Sequence, residues 1–189
     1  STMRAEYADD QEKILLHISN FRAVKRVQDV VKVFHGVRQQ LPAKLLLVGE
    51  GPEWATVYKQ VQELGLQEHV IFLGKQDEVA QIISLADLLL LPSEKESFGL
   101  VALEAMACGV PTIGTRAGGL PEVVKHGETG FLTEIGHTHE MAQYAIRLLT
   151  NDDLFSRFQK QCIERAQSLF SGQKIVAEYE DVYRHVLSK

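Results

Sequence analysis

Only two cysteines occur, Cys108 and Cys162, and they form no CxxC pair. A disulfide framework and a cysteine zinc site are therefore excluded, and the usage fits a reducing compartment, the cytoplasm. Long apolar runs are missing too. No stretch reaches the ~18 residues of a membrane span, and the opening STMRAEYADDQEK lacks the apolar centre of a secretion signal. Positive charge is scarce: 20 Lys and Arg against 25 Asp and Glu leave a net charge of -5 with no basic run. Nothing here neutralises a nucleic-acid backbone, so no nucleic-acid partner is expected.

Several motifs are absent as well. Gly49-Glu50-Gly51-Pro52-Glu53-Trp54 begins like a GxGxxG dinucleotide fingerprint, but Trp54 stands where the third glycine belongs. No GxxxxGK[ST] occurs, which excludes a P-loop. There is no DxD and no visible Ser-His-Asp arrangement. The His137-x-His139 pair lacks further ligands nearby, so no metal is expected.

What is present is a globular composition, 45% apolar and 24% charged, over a length suited to one domain. Short apolar runs alternate with longer helical patterns, the signature of an α/β domain with a parallel sheet. Strands are expected at 14–18, 45–48, 70–73, 88–91, 111–114 and 130–133. Between them Val27, Val30, Val31, Phe34 and Val37 recur at helical spacing, and further helices are expected at about 53–64, 78–86 and 98–108. From His139 onward the pattern is helical, interrupted near Ser171-Gly172. A last amphipathic helix over 174–187 carries Ile175, Val176, Tyr179, Val182, Tyr183 and Val186 on one face. Such a face predicts a displaced tail or dimerisation with a second copy.

Ligands of open parallel sheets bind beyond the carboxyl ends of strands, so the following loops hold the candidate chemistry. The first contains three cations, Arg22, Lys25 and Arg26, suited to a diphosphate or simply to a solvated loop. Gly49 and Gly51 serve either a tight turn or close approach to a ligand. In the third loop and its helix, Glu104 is the one ionisable group among Leu, Val, Ala, Met and Cys. An unpaired buried carboxylate is costly, so it needs a partner, either a ribose diol or a structural hydrogen bond to a loop. The helix start near Ser97 to Leu100 offers free backbone N-H groups to phosphate. Ser93-x-x-Glu96 also reads as a capping box.

Glu96-x7-Glu104, within ESFGLVALEAMACGVPTIGTRAGGLPEVV, resembles the signature of the group 1 retaining glycosyltransferases of GT-B fold. The likeness runs from Ile14 to about Leu132, with VGEGP, VIFLGK and GETGFL in the expected order. The resemblance implies a Rossmann-like parallel sheet flanked by helices, the second half of such an enzyme. It divides the chain into a leader or interdomain segment (1–13), a nucleotide-sugar-binding domain (14–170) and a terminal helix (171–189) that would cross to an amino-terminal half. It assigns Arg22 and Lys25 to the diphosphate and Glu104 to the ribose hydroxyls. Glu96 would meet the donor sugar. The backbone of Phe98, Gly99 and Leu100 would bind phosphate and sugar, and the backbone near Lys75 and Gln76 the base. The implied donor is a UDP-sugar with no cofactor or metal, and the small acceptor belongs to the other half. Phe21 stands where the family usually has glycine, and the loop is shorter than usual, so Lys25 and Arg26 are interchangeable as phosphate ligands at this level. Two rivals are a non-catalytic nucleotide-sugar-binding module and a flavodoxin-like phosphate-binding domain; the Glu96-x7-Glu104 spacing speaks against the second.

Overall fold

The structure, a computed structural model, describes residues 2–96 and 99–171. The expectations for Phe98 and for the apolar helix over 174–187 lie outside the described residues. In chain order the elements are α1 (Thr2–Ala5), β1 (Lys13–Ile18), α2 (Val27–Arg38), β2 (Ala43–Val48), α3 (Trp54–Glu63), β3 (Val70–Gly74), α4 (Val79–Ile83), β4 (Leu88–Leu91), α5 (Leu100–Ala107), β5 (Thr112–Thr115), α6 (Leu120–Val123), β6 (Gly130–Thr133), α7 (Thr138–Leu149) and α8 (Asp152–Phe170). The six strands form one sheet in the order β3-β2-β1-β4-β5-β6, every neighbouring pair parallel.

Helices cover both faces, which is why the strands read as continuous apolar runs rather than alternating ones. Leu15, Leu45, Leu47, Leu88 and Leu90 share one core with Val30 and Phe34 of α2 and Met141 and Leu148 of α7. Their neighbours in sequence, Ile14, Leu16, Leu46, Leu89 and Leu91, point the other way. They pack with Ile82, Leu103, Met106 and Cys162 from α4, α5 and α8.

Two local expectations change. The helix expected at 98–108 begins at Leu100, with Gly99 in the left-handed region at φ 63° as its N-cap. The long helical pattern after His139 breaks at Thr150-Asn151, because the Asn151 side chain accepts the Leu154 N-H at 3.0 Å and starts α8. The segment before β1 packs onto the domain. Arg4 donates to the carbonyls of Leu85 (2.6 Å) and Glu12 (2.8 Å) and pairs with Asp87 at 3.1 Å. Among the described residues no helix is long and apolar enough to cross a membrane.

The functional consequence of the strand order lies at its centre. The chain runs outward from β1 to β2 and β3, then returns to β4 on the other side of β1. The helices that follow β1 and β4, α2 and α5, therefore pack on opposite faces of the sheet, and the loops leading to them meet at the carboxyl ends, the usual ligand position of this architecture.

Candidate functional site

Those two loops contact each other directly. After β1 the chain makes a single 3-10 turn at Ala23–Lys25 and enters α2 through Arg26, at φ 51°. The Glu94 N-H donates to the Val24 carbonyl at 2.7 Å and ties the loop after β4 to it. Across this seam Lys25 Nζ lies 3.3 Å from Glu96 Oε2. The same carboxylate oxygen accepts the Ser93 hydroxyl at 3.2 Å, while the Glu96 carbonyl accepts the Gly119 N-H at 2.6 Å. The Ser93 carbonyl in turn accepts the Thr115 hydroxyl at 2.6 Å. Ser93 and Glu96 thus contact each other through side chains several residues before α5, so the capping-box reading is corrected. Gly99, the N-cap of α5, has no side chain with which to cap the helix, and among the described residues no side chain caps its first amides.

Lys25 and Arg26 are no longer interchangeable. Arg26 donates to Asp29 at 2.7 Å and to Glu94 at 3.1 Å, and these hydrogen bonds raise its pKa above the usual value. It clamps the loops, whereas Lys25 faces Glu96. Arg22 is exposed, and among the described residues its side chain has no hydrogen bond or ion pair. Phe21 occupies the left-handed region at φ 48° with its ring fully buried. Burial of the ring, worth about 2 kcal/mol, offsets a backbone cost of about 1–2 kcal/mol.

Glu104 projects from α5 half-buried, and among the described residues it has no hydrogen bond or ion pair. The structural loop contact weighed as its alternative partner is not made there. Lys75 and Gln76 follow β3 at the sheet's edge; both are exposed, Lys75 3.8 Å from Glu50 and Gln76 donating to the Leu73 carbonyl at 2.6 Å. Gly99 and Leu100 lie at the start of α5, and both are buried. The structure thus brings Lys25 and Glu96 together across one seam, with Arg22 exposed three residues before Lys25, the start of α5 four residues after Glu96 and Glu104 farther along that helix.

One contributor escaped the sequence reading. His17, in the apolar strand β1, is fully buried. Its Nδ1 is 2.7 Å from the Leu90 carbonyl and its Nε2 2.8 Å from Ser19 Oγ. A carbonyl only accepts, so Nδ1 carries the proton and Nε2 accepts from the Ser19 hydroxyl. Ser19 Oγ also accepts the Phe21 N-H at 3.2 Å, so a core histidine shapes the loop bearing Arg22 and Lys25. Burial, and secondarily the nearby Lys25 charge, outweigh the Leu90 hydrogen bond and lower the His17 pKa to about 4. The available signal was a lone polar residue inside Leu-Leu-His-Ile.

A Cβ on Gly49 or Gly51 would run into the carbonyl of Ser19 or Asn20, so both glycines let the loops after β1 and β2 touch. Gly118, at φ 55°, likewise abuts the Glu96 backbone. Gly118→Ala is expected to cost about 2 kcal/mol through the unfavourable φ and a displaced Glu96 segment, read as a lowered urea midpoint.

Elsewhere a cavity of about 270 Å³ is lined by Ala23, Arg26, Gln28, Asp29, Lys32 and Glu53, and includes none of Arg22, Lys25, Glu96 or Glu104. Trp54, in the position of the missing glycine, stacks on Tyr58 at 5.1 Å. Among the described residues no three His, Cys, Asp or Glu side chains are grouped to hold a metal ion.

Comparison with known proteins follows the same lines. The sequence signature of the family described as glycosyl transferases group 1 matches residues 2–169. The chain is 53% identical to the N-acetyl-alpha-D-glucosaminyl L-malate synthase of Bacillus anthracis, over 98% of this chain and 49% of that protein. It superposes on the Anabaena protein HepE, solved in complex with UDP-glucose, with a TM-score of 0.84 and 27% identity, covering 98% of this chain and 52% of that one. The carboxyl-terminal domain of a group 1 glycosyl transferase from Francisella tularensis, 23% identical with a TM-score of 0.78, shares the fold over 84% of this chain and 86% of that domain. The chain spans about half the length of these curated relatives, this synthase and a D-inositol 3-phosphate glycosyltransferase of Corynebacterium glutamicum.

Proposed function

This chain belongs to the group 1 glycosyl transferases, and on that premise we propose that it is the donor-binding half of a retaining enzyme. The donor is a UDP-sugar, UDP-N-acetylglucosamine, and the acceptor a small molecule, L-malate, held on the other half. The relative from Bacillus anthracis supports the sugar and acceptor, and the UDP-glucose complex of HepE supports the nucleotide. The observation that carries the donor site is the seam itself: Lys25 against Glu96, just before the start of α5, where the strand order reverses.

In this reading Arg22, Lys25 and the amides of Gly99 and Leu100 take the diphosphate, and their positive potential stabilises the charge that builds as it departs. The acceptor hydroxyl attacks the anomeric carbon from the face the diphosphate leaves, so configuration is retained without a protein nucleophile. Glu96 accepts hydrogen bonds from the sugar, Glu104 from the ribose diol, and the backbone near Lys75 and Gln76 meets the base.

Calorimetry with UDP, GDP and ADP, in buffer containing a chelator, tests this. UDP is expected to bind without divalent metal and to stabilise the fold by about 2.7 kcal/mol at 100 times its dissociation constant, while a UDP-sugar offered with an acceptor is expected to undergo no transfer on these 189 residues. An unchanged melting temperature in saturating UDP, or a shift that requires metal, would refute the donor site.

A further inference from the structure

The Glu96 carboxylate is unevenly used. Oε2 receives both Lys25 Nζ and the Ser93 hydroxyl, whereas Oε1 has no donor among the described residues. The residue is also held through its main chain. Its backbone is fixed by the Gly119 N-H, and the loop before it by the Glu94 N-H and the Arg26–Glu94 contact. The side chains of Lys25 and Glu96 are 21% and 14% exposed, so their charges are only partly screened by water. A partly buried acceptor therefore lies beside the cation assigned to the diphosphate.

We infer that Glu96 makes the site discriminate against bare UDP in favour of the UDP-sugar, and so promotes release of the product. This rests on the donor-site reading above. The chemistry follows from what the two ligands present to an ionised carboxylate. A sugar offers hydroxyl protons, which Oε1 accepts. Bare UDP ends instead in a phosphate monoester, which carries about one extra negative charge near neutral pH and oxygens that mostly accept. Two acceptors of like charge repel, and Lys25, already shared with Glu96, gives the terminal phosphate less than a free ammonium would. Loss of the sugar thus turns a favourable neighbour into an unfavourable one at the moment transfer is complete.

The test measures the affinities of UDP and UDP-N-acetylglucosamine for the parent chain, Glu96→Gln and Glu96→Ala, with melting temperatures to establish folding. Both variants remove the charge, and the glutamine retains an acceptor for Ser93. UDP is expected to bind both variants about fivefold more tightly, near the upper value for a partly exposed charge interaction. The UDP-sugar is expected to bind about tenfold more weakly, as for a lost hydrogen bond to a charged group. A parent that binds no UDP would remove the donor-site reading and this inference together. A parent that binds UDP, with variants whose UDP affinity is unchanged or weaker, would overturn the inference alone.

Discussion

Glu104→Ala is expected to lower the affinity for UDP by about 10- to 150-fold while leaving the melting temperature at or slightly above that of the parent. The carboxylate sits half-buried on α5, and no described residue bonds it. Its removal in the free protein therefore breaks no described contact, and alanine is the better helix former. In the complex it would cost the contact to the ribose diol, roughly 1.5 to 3 kcal/mol in total for a charged acceptor. That contact exists before and after sugar transfer. The change should consequently appear in binding more than in the rate of the chemical step once the two halves act together. Calorimetric titration beside a thermal melt separates the outcomes. Parent-like UDP binding would dismiss the ribose assignment, whereas a large fall in melting temperature would make Glu104 structural.

Acid is expected to destabilise this domain well above the range in which carboxylates titrate. The buried, neutral His17 takes a proton only near pH 4 in the folded chain, because desolvation opposes the charge. In the unfolded chain it takes one near pH 6.5. Its contribution is fully present above the unfolded value and is lost as the pH falls from 6.5 toward 4, since the unfolded state binds more protons there. The total is roughly 3 kcal/mol, with about 2 kcal/mol lost by pH 4.5. Urea unfolding of the parent and His17→Gln at pH 7 and pH 4.5 isolates this contribution, because the carboxylates titrate alike in both. The variant should lose about 2 kcal/mol less than the parent on acidification, and parallel losses would show that His17 is not the source.

His17 also links stability to the site. Protonation at Nε2 removes the acceptor of the Ser19 hydroxyl, the group that receives the Phe21 N-H at the mouth of the loop. Arg22 and Lys25 follow directly, so the acid sensitivity of the core and the order of the loop after β1 share one hydrogen-bonded chain.

Much of this molecule was legible before its fold was known. Strand spans such as Leu88–Leu91 and Gly130–Thr133 coincide with the structure, because an apolar run buried on both faces is a property of adjacent residues. The Glu96-x7-Glu104 spacing was equally local, and it pointed to the family that residues 2–169 match. Local pattern also failed in places where a signal existed. Asn151 ahead of two aspartates marked the start of α8, yet the apolar periodicity on either side masked the break.

Sequence alone determined the α/β class, the positions of the loops and the residue types available for a nucleotide sugar, since each depends on periodicity or spacing along the chain. Only the tertiary structure decided what those residues touch. Lys25 meets Glu96 across 71 positions because β1 and β4 are neighbours while β2 and β3 lie outside them. The same strand order leaves Arg26 clamping Asp29 and Glu94, puts His17 against Leu90, and makes Gly49 and Gly51 contact points between loops. Contacts of this range are set by which strands lie side by side, and that choice depends on how both faces of the whole sheet are buried at once.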